Sequence, residues 1–456
     1  MIKDTIKSLF IKGSFTQDVF IVSFGKGIVA IIGFLFVPIL SRIYSPEAYG
    51  NFSLYSAFLA FFVPLFTLSF PSAFVVAKND KLFFNLFSLS TILLLLSTAF
   101  TFLLVLLLGD YLIKVFNLAY ESRILFLIPL GILINGFFSQ LTSWNVRRKQ
   151  FTFSTSVAVG HNLLIRIFNL LIGIFGRNIS YGLIYGSLLG RLIALIILIA
   201  KFLQKEKRKF ISNITFNNII ISGKVYKKYP LYFLPGRLLE NLWNQSIVYV
   251  IGFGFSKSIL GNFAIAVSVL NIPIQVIANS MSSVFLKKAN DIYISNKNEL
   301  PIFIKRLTSK LFFTWIIPFS ILSVFGPEII KVFLGDQWTM AGKMSSIMAP
   351  YFFTTLIVSP ILSVLQVLKK EVHLFLYNLI GFILNTIGLL IGFLLGNIEI
   401  LIMLYTAGNV LMYLLVGIYI MRINNIPYLR IIIGFLLIYP STILVLYLIK
   451  KAFMIY

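Results

Sequence analysis

The chain contains no cysteine and only two histidines in 456 residues. Without thiols it can form no disulfide, no iron–sulfur cluster and no thiolate zinc site. His161 and His373 stand far apart and make no metal-binding spacing. Acidic residues are scarce as well, 14 Asp and Glu against 39 Lys and Arg, for a formal net charge of +25. No Walker sequence is present, which excludes ATP hydrolysis through a P-loop. There is no pair of neighbouring carboxylates, no Ser/His/Asp grouping, and no polar stretch long enough for an extramembrane catalytic domain. An enzyme is therefore disfavoured, and neither cofactor nor metal is expected.

What fills the chain is apolar sequence. Hydrophobic residues make up 59% and the mean hydropathy is +0.96, whereas soluble domains are about 45–50% apolar. Runs suited to a hydrocarbon core of about 30 Å fall at about 18–41, 50–77, 83–108, 122–143, 152–175, 180–200, 229–255, 259–284, 308–330, 344–367, 372–395 and 399–421, with one more at about 428–449. No segment alternates with period two, which excludes an outer-membrane barrel. The expected fold is an all-α polytopic membrane protein. Met1–Asp18 is polar and basic, and the first apolar run is too long for a signal h-region, so no cleavable signal peptide is expected.

The basic residues sort by loop. One set holds Lys3, Lys7 and Lys12, then Arg147, Arg148 and Lys149, a dense run between Lys201 and Lys228, Lys287 and Lys288, Lys369 and Lys370, and Arg422 with Arg430. The other set is sparse: Arg42, Lys114, Arg123, Arg177, Lys257, Lys331 and Lys343, with Lys450 and Lys451 if the last run crosses. This asymmetry expects a cytoplasmic N-terminus and contact with anionic lipid head groups. It also excludes nucleic acid, which needs a continuous soluble basic face. Lys450 and Lys451 offend the rule, leaving three readings of the last run: peripheral, interfacial, or re-entrant at Pro440.

The chain resembles itself. PEAYGNF (46–52) enters the second run and KSILGNF (257–263) the eighth, so six runs repeat in the same orientation. The expected organisation is a six-helix bundle at 1–203, a basic connecting loop at 204–228, a second six-helix bundle at 229–421, and an extra C-terminal hydrophobic segment at 422–456.

Several runs carry a polar stripe. Arg237, Glu240, Asn241, Asn244 and Gln245 recur at i, i+3, i+4, i+7, i+8, one face of a helix. Similar faces hold Asn162, Arg166 and Asn169; Ser268, Asn271, Gln275, Asn279 and Ser282; Asn378, Gly381, Asn385, Gly388 and Gly392; and Ser53, Ser56, Pro64, Thr67 and Pro71. Small residues and amides also join membrane helices to one another, so packing and a water-filled cavity are both open. Ionisable groups at membrane depth are costly and mark function. They are Lys26, Arg166, Arg191, Arg237 and Glu240, four cations and one acid, which suits an anionic substrate. Plain alternatives stand beside this. Arg237 and Glu240 neutralise one another, Lys26 snorkels, Arg191 pairs with carbonyls, and His161 is a satisfied polar group.

Two segments carry a resemblance. PILSRIYSPEAYGNFSLYS (38–56), continued through PLFTL (64–68) and AKND (77–80), resembles the first-to-second-helix signature of bacterial polysaccharide flippases. LGNFAIAVSVLNIP (260–273) with VFL (284–286) is similar to their seventh-to-eighth-helix signature. The chain thus resembles Wzx-type O-antigen or capsular repeat-unit flippases of the multidrug/oligosaccharidyl-lipid/polysaccharide exporter superfamily.

The resemblance implies two six-helix bundles in the bacterial inner membrane, around a central cationic cavity. It implies alternating-access transfer of an undecaprenyl-pyrophosphate-linked glycan from the cytoplasmic to the periplasmic leaflet. Substrate contacts would fall to Lys26, Arg42, Arg166, Arg191 and Arg237. Na+ or H+ coupling would fall to Glu240 with Asn378, Asn385, Thr406 and Asn409. A monomer is expected, working with a polysaccharide polymerase and a chain-length regulator. Related lipid II flippases carry an arginine just before the eighth-helix proline. Here Val267–Pro273 has no cation, so that contact does not carry over. A multidrug cation exporter of the same fold would want an acidic cavity, and a membrane polysaccharide polymerase a large outer loop.

Overall fold

In lipid, backbone N–H and C=O groups must be satisfied within the segment, so long apolar runs fold as helices. The computed structural model describes residues 15–115, 123–176, 179–275, 279–368, 370–427, 429 and 433–454, and has no strand among them. Lys3, Lys7, Lys12, Arg177, Lys369 and Arg430 lie outside the described residues, as do the side chains of Asn279, Ser282 and Lys287. Eleven described helices are long and apolar enough to cross a membrane, and Lys257–Pro273 is a shorter apolar one. Leu234–Gly254 is not among the eleven, because it carries the polar stripe headed by Arg237.

Contacts divide the chain into two compact units, Met1–Phe36 with Glu47–Lys257, and Val37–Pro46 with Ser258–Tyr456. The first contains most of α1 (Phe15–Ile43), then α2 (Pro46–Phe66), α3 (Phe70–Phe74), α4 (Asp80–Val115), α5 (Arg123–Arg147), α6 (Phe151–Phe175), α7 (Gly182–Asn213), α8 (Phe216–Val225) and α9 (Leu234–Gly254). By packing, α9 goes with this unit, although charge and repeat suggested a join at 204–228. The cause is polar: the Asn241 amide donates to the carbonyl of Ala60 at 2.7 Å, and the Tyr249 hydroxyl to that of Ala57 at 2.8 Å. Pro64 has no N–H to give the Ala60 carbonyl, so a helix-breaking residue on α2 creates the acceptor that α9 fills.

The antiparallel pair α6–α7 depends on glycine. A Cβ on Gly190 would stand 2.7 Å from the Ile165 nitrogen, and one on Gly186 2.7 Å from the Asn169 nitrogen. With Gly182 these form a small-xxx-small ladder that lets two backbones touch.

At one end of the unit an aromatic core holds Trp144, Phe74, Phe83, Phe84, Phe87 and Phe202, all buried. A charge network lies over it. Arg148 grips buried Glu206 through Nε at 2.7 Å and Nη2 at 3.1 Å and reaches Asp80 at 3.0 Å. Arg147 meets Asp80 at 3.3 Å and donates to the carbonyls of Phe74 and Ala77. The Trp144 indole donates to Glu206 at 3.3 Å. Four helices are joined at this point, and the two arginines that read as loop charge are structural.

The second unit holds the end of α1, α10 (Lys257–Pro273), α11 (Asn279–Ser295), α12 (Glu299–Leu334), α13 (Thr339–Val358), α14 (Val364–Val367), α15 (Glu371–Leu394), α16 (Ile398–Ile423) and α17 (Tyr439–Met454). The Ser41 carbonyl, at the end of α1, accepts from the Gln337 amide at 2.6 Å and the Trp338 indole at 2.9 Å. The Asn397 side chain caps α16 by accepting from the N–H groups of Glu399 and Ile400.

The last helical segment lies along α12 in constant register. Gly434 meets the Phe312 ring, Thr442 hydrogen-bonds Ser320 at 2.8 Å, and Lys450 pairs with Glu328 at 2.6 Å. The two helices therefore run parallel to one another over this length, and the last segment is long and apolar enough to cross a membrane. Glu328 thus gives Lys450 an ion-pair partner. Phe325 leaves helical geometry two residues before Pro327, and at that break the Val324 carbonyl accepts from the Lys450 ammonium at 3.0 Å.

Two outcomes follow. A reporter fused after Tyr456 is expected to read the same side of the membrane as one fused after Gly335; opposite sides would rule out the parallel register. Gly190→Ala drives a Cβ into backbone that cannot swing aside, and is expected to cost about 1–3 kcal/mol, read as a lower unfolding temperature in detergent than for Gly27→Ala, whose Cβ meets open space.

Candidate functional site

A cavity of about 640 Å³ opens within the first unit. Its volume lies in the range of sites that hold small molecules or head groups. One wall is α2, broken where it meets the cavity. Leu68 and Ser69 both take left-handed backbone geometry, with φ of 48° and 53°, a conformation that costs residues other than glycine about 1–2 kcal/mol each. The break turns Thr67, Ser69 and Ser72 toward the cavity. The opposite wall is a polar face of α5: Asn135, Ser139, Thr142 and Ser143. Their spacing in the sequence, i, i+4, i+7, i+8, is one face of a helix, but it carries no charge to mark it.

Two cations complete the lining, Arg191 from α7 and Arg237 from α9, and no carboxylate is among the lining residues. The Arg191 Nε–H donates to His161 Nε2 at 3.0 Å. Its guanidinium lies 5.7 Å from the centre of the Phe138 ring, and the His161 ring packs against the same phenyl at 5.0 Å, tilted by 34°. Arg237 is exposed at the cavity wall one turn before Asn241, the residue that fixes α9 on α2. Glu240 is exposed, and among the described residues no ion pair joins it to Arg237, so the stripe does not neutralise itself.

The other expected site residues stand elsewhere. Lys26 is exposed on α1 and does not line this cavity. Arg166 is half-buried on α6 beside Gly33 of α1, where a Cβ would come 3.9 Å from its Nη2. Arg42 is exposed at the end of α1 that packs with the second unit. In that unit Asn385 and Asn409 are buried and bonded to each other: Asn409 Nδ2 donates to Asn385 Oδ1 at 2.9 Å, and Asn385 Nδ2 returns a bond at 3.3 Å. Thr406 is buried one turn before Asn409, its hydroxyl without a hydrogen-bond partner among the described residues. Asn378 is half-buried two turns before Asn385.

A family model described as "Polysaccharide biosynthesis protein" matches residues 39–343, more than half of the chain. The chain belongs to the polysaccharide biosynthesis protein family. The family expected from the two signatures is thereby borne out. No curated protein matches the sequence. Among solved structures, the chain is similar to an inward-facing multidrug resistance MATE family transporter of the MOP superfamily, at a TM-score of 0.63 and 13% identity over 92% of this chain and 97% of that one. It is similar to the lipid II flippase MurJ in an inward closed conformation, at 0.57 and 17% over 100% and 99%. A MOP superfamily transporter from Pyrococcus furiosus, whose title speaks of reversed polarity of the binding pocket, matches at 0.57 and 13% over 89% and 95%. At these identities the likeness is one of fold. This member of the polysaccharide biosynthesis protein family therefore has the all-α fold of MOP superfamily transporters.

The network of Arg148, Glu206 and Asp80 supports the same unit as the cavity without touching it. Arg148→Gln would leave Glu206 buried without its main partner, a loss of about 3–5 kcal/mol. It is expected to lower the unfolding temperature sharply, and the double variant Arg148→Gln/Glu206→Gln to recover part of that loss.

Proposed function

We propose that the protein is a flippase for undecaprenyl-pyrophosphate-linked oligosaccharide repeat units, working by alternating access in the bacterial inner membrane with its N-terminus in the cytoplasm. The observation that carries this reading is the cavity: two arginines, no lining carboxylate, and walls of hydroxyls and amides. Guanidinium groups take up the charge of a pyrophosphate bidentately, and hydroxyls and amides suit a glycan. A multidrug cation exporter would need the opposite charge. Family membership supports a role in polysaccharide assembly, and the shared fold with a lipid II flippase supports a lipid-linked cargo.

Lys26, Arg42 and Arg166 are further substrate contacts along the route. Glu240 is the coupling group, exchanging a proton or Na+ against substrate, and Asn378, Asn385, Thr406 and Asn409 are further polar candidates for coupling. The cargo passes to a polymerase governed by a chain-length regulator, and the flippase itself acts as a monomer.

In a strain whose surface polysaccharide depends on this gene, Arg191→Gln and Arg237→Gln are each expected to reduce polymer at equal protein level, with a loss of roughly tenfold in affinity per charge-assisted contact. The double variant should make none. Glu240→Gln is expected to leave cargo binding intact while making transport indifferent to the ion gradient. Normal polymer in the double arginine variant would refute the anionic site.

A further inference from the structure

Arg191 and His161 meet on the face of Phe138, at the wall of the cavity. We infer that His161 is a positioning residue that holds Arg191 from behind, so that the guanidinium presents its two terminal nitrogens to a diphosphate in the cavity. This rests on the anionic-cargo reading above.

The geometry is specific. Arginine is a donor only, so in the 3.0 Å contact His161 Nε2 must accept, and the imidazole proton sits on Nδ1. The bond uses the Arg191 Nε–H. Nη1 and Nη2 have no hydrogen-bond partner among the described residues, and they form the fork that matches two oxygens of a phosphate. His161 is 7% exposed, so its ring is held rather than free to swing. Phe138, a lining residue, packs against the tilted imidazole at 5.0 Å and against the guanidinium at 5.7 Å.

The neutrality of the acceptor matters. A carboxylate at position 161 would grip Arg191 more strongly but would cancel the charge that attracts the anion. A neutral imidazole orients the cation and leaves its charge whole. The close α6–α7 contact at Gly186 and Gly190 brings the two side chains within reach.

The test uses the purified full-length protein in detergent, with farnesyl pyrophosphate as probe and titration calorimetry as readout. His161→Gln can still present a neutral acceptor and is expected to bind within about threefold of the unaltered protein. His161→Leu is expected to weaken binding about tenfold, and Arg191→Gln at least as much. Because both act through one group, His161→Leu/Arg191→Gln should bind no more weakly than Arg191→Gln alone. His161→Glu should weaken binding about as much as His161→Leu despite restoring a hold on Arg191. Equal binding by His161→Gln and His161→Glu would overturn the positioning role even if His161→Leu fails to fold. So would unaltered binding by His161→Leu, or additive losses in the double variant; either leaves Arg191 as an anion contact. Undiminished binding by both Arg191→Gln and Arg237→Gln would instead sink the anion site itself, and this inference with it.

Discussion

Pro64 has no N–H for the carbonyl of Ala60, and the Asn241 amide supplies a donor at 2.7 Å. Much of the first unit depends on that repair. An unsatisfied buried carbonyl costs about 1–3 kcal/mol, so α9 is drawn onto α2 at one fixed height, with Tyr249 bonding Ala57 two turns further along. Fixing Asn241 fixes Arg237 one turn earlier, at the wall of the cavity. The break that follows in α2, with left-handed Leu68 and Ser69, turns a run of hydroxyls the same way. One missing hydrogen-bond donor thus sets the position of a cation, an amide and part of a polar wall.

Charge follows a division of labour. Asp80 and Glu206 are held by Arg147 and Arg148 at a helix end, and Glu328 by Lys450. These acids meet cations where stability needs them. The cavity keeps its two arginines without a lining carboxylate, so the scarcity of acid in the composition becomes, locally, an unneutralised positive site. Arg191 is held by a neutral ring and a neutral imidazole, and its charge stays available.

The helices, the polar stripe of α9 and the family signatures were legible in the sequence because each is local, a matter of hydropathy, spacing or a short motif. Arg191 and Arg237 stood out for the cost of a charge in an apolar run. What was not legible is pairing across distance. Arg147 and Arg148 read as loop charge because Glu206, the acid that engages Arg148, lies in a run of lysines on another helix. Lys26 and Arg166 were grouped with Arg191 by depth alone, and depth does not say which neighbours a helix face meets. Asn385 and Asn409, which the resemblance offers as coupling groups, are hydrogen-bonded to each other, a pairing no local spacing shows. That Lys450 meets Glu328 on a distant helix was likewise invisible to a count of loop charges.

The parallel register of that helix on α12 also has an electrical consequence. Neighbouring antiparallel helices set their macrodipoles head to tail, whereas parallel ones stack like ends together and repel. Here the carbonyl end of the first segment of α12 comes close to an ammonium. Lys450 lies just before the last turn of α17, and it bonds the Val324 carbonyl where α12 breaks at Phe325. A single cation from the parallel neighbour therefore offsets the partial negative charge at that break, and Glu328 keeps that cation in place.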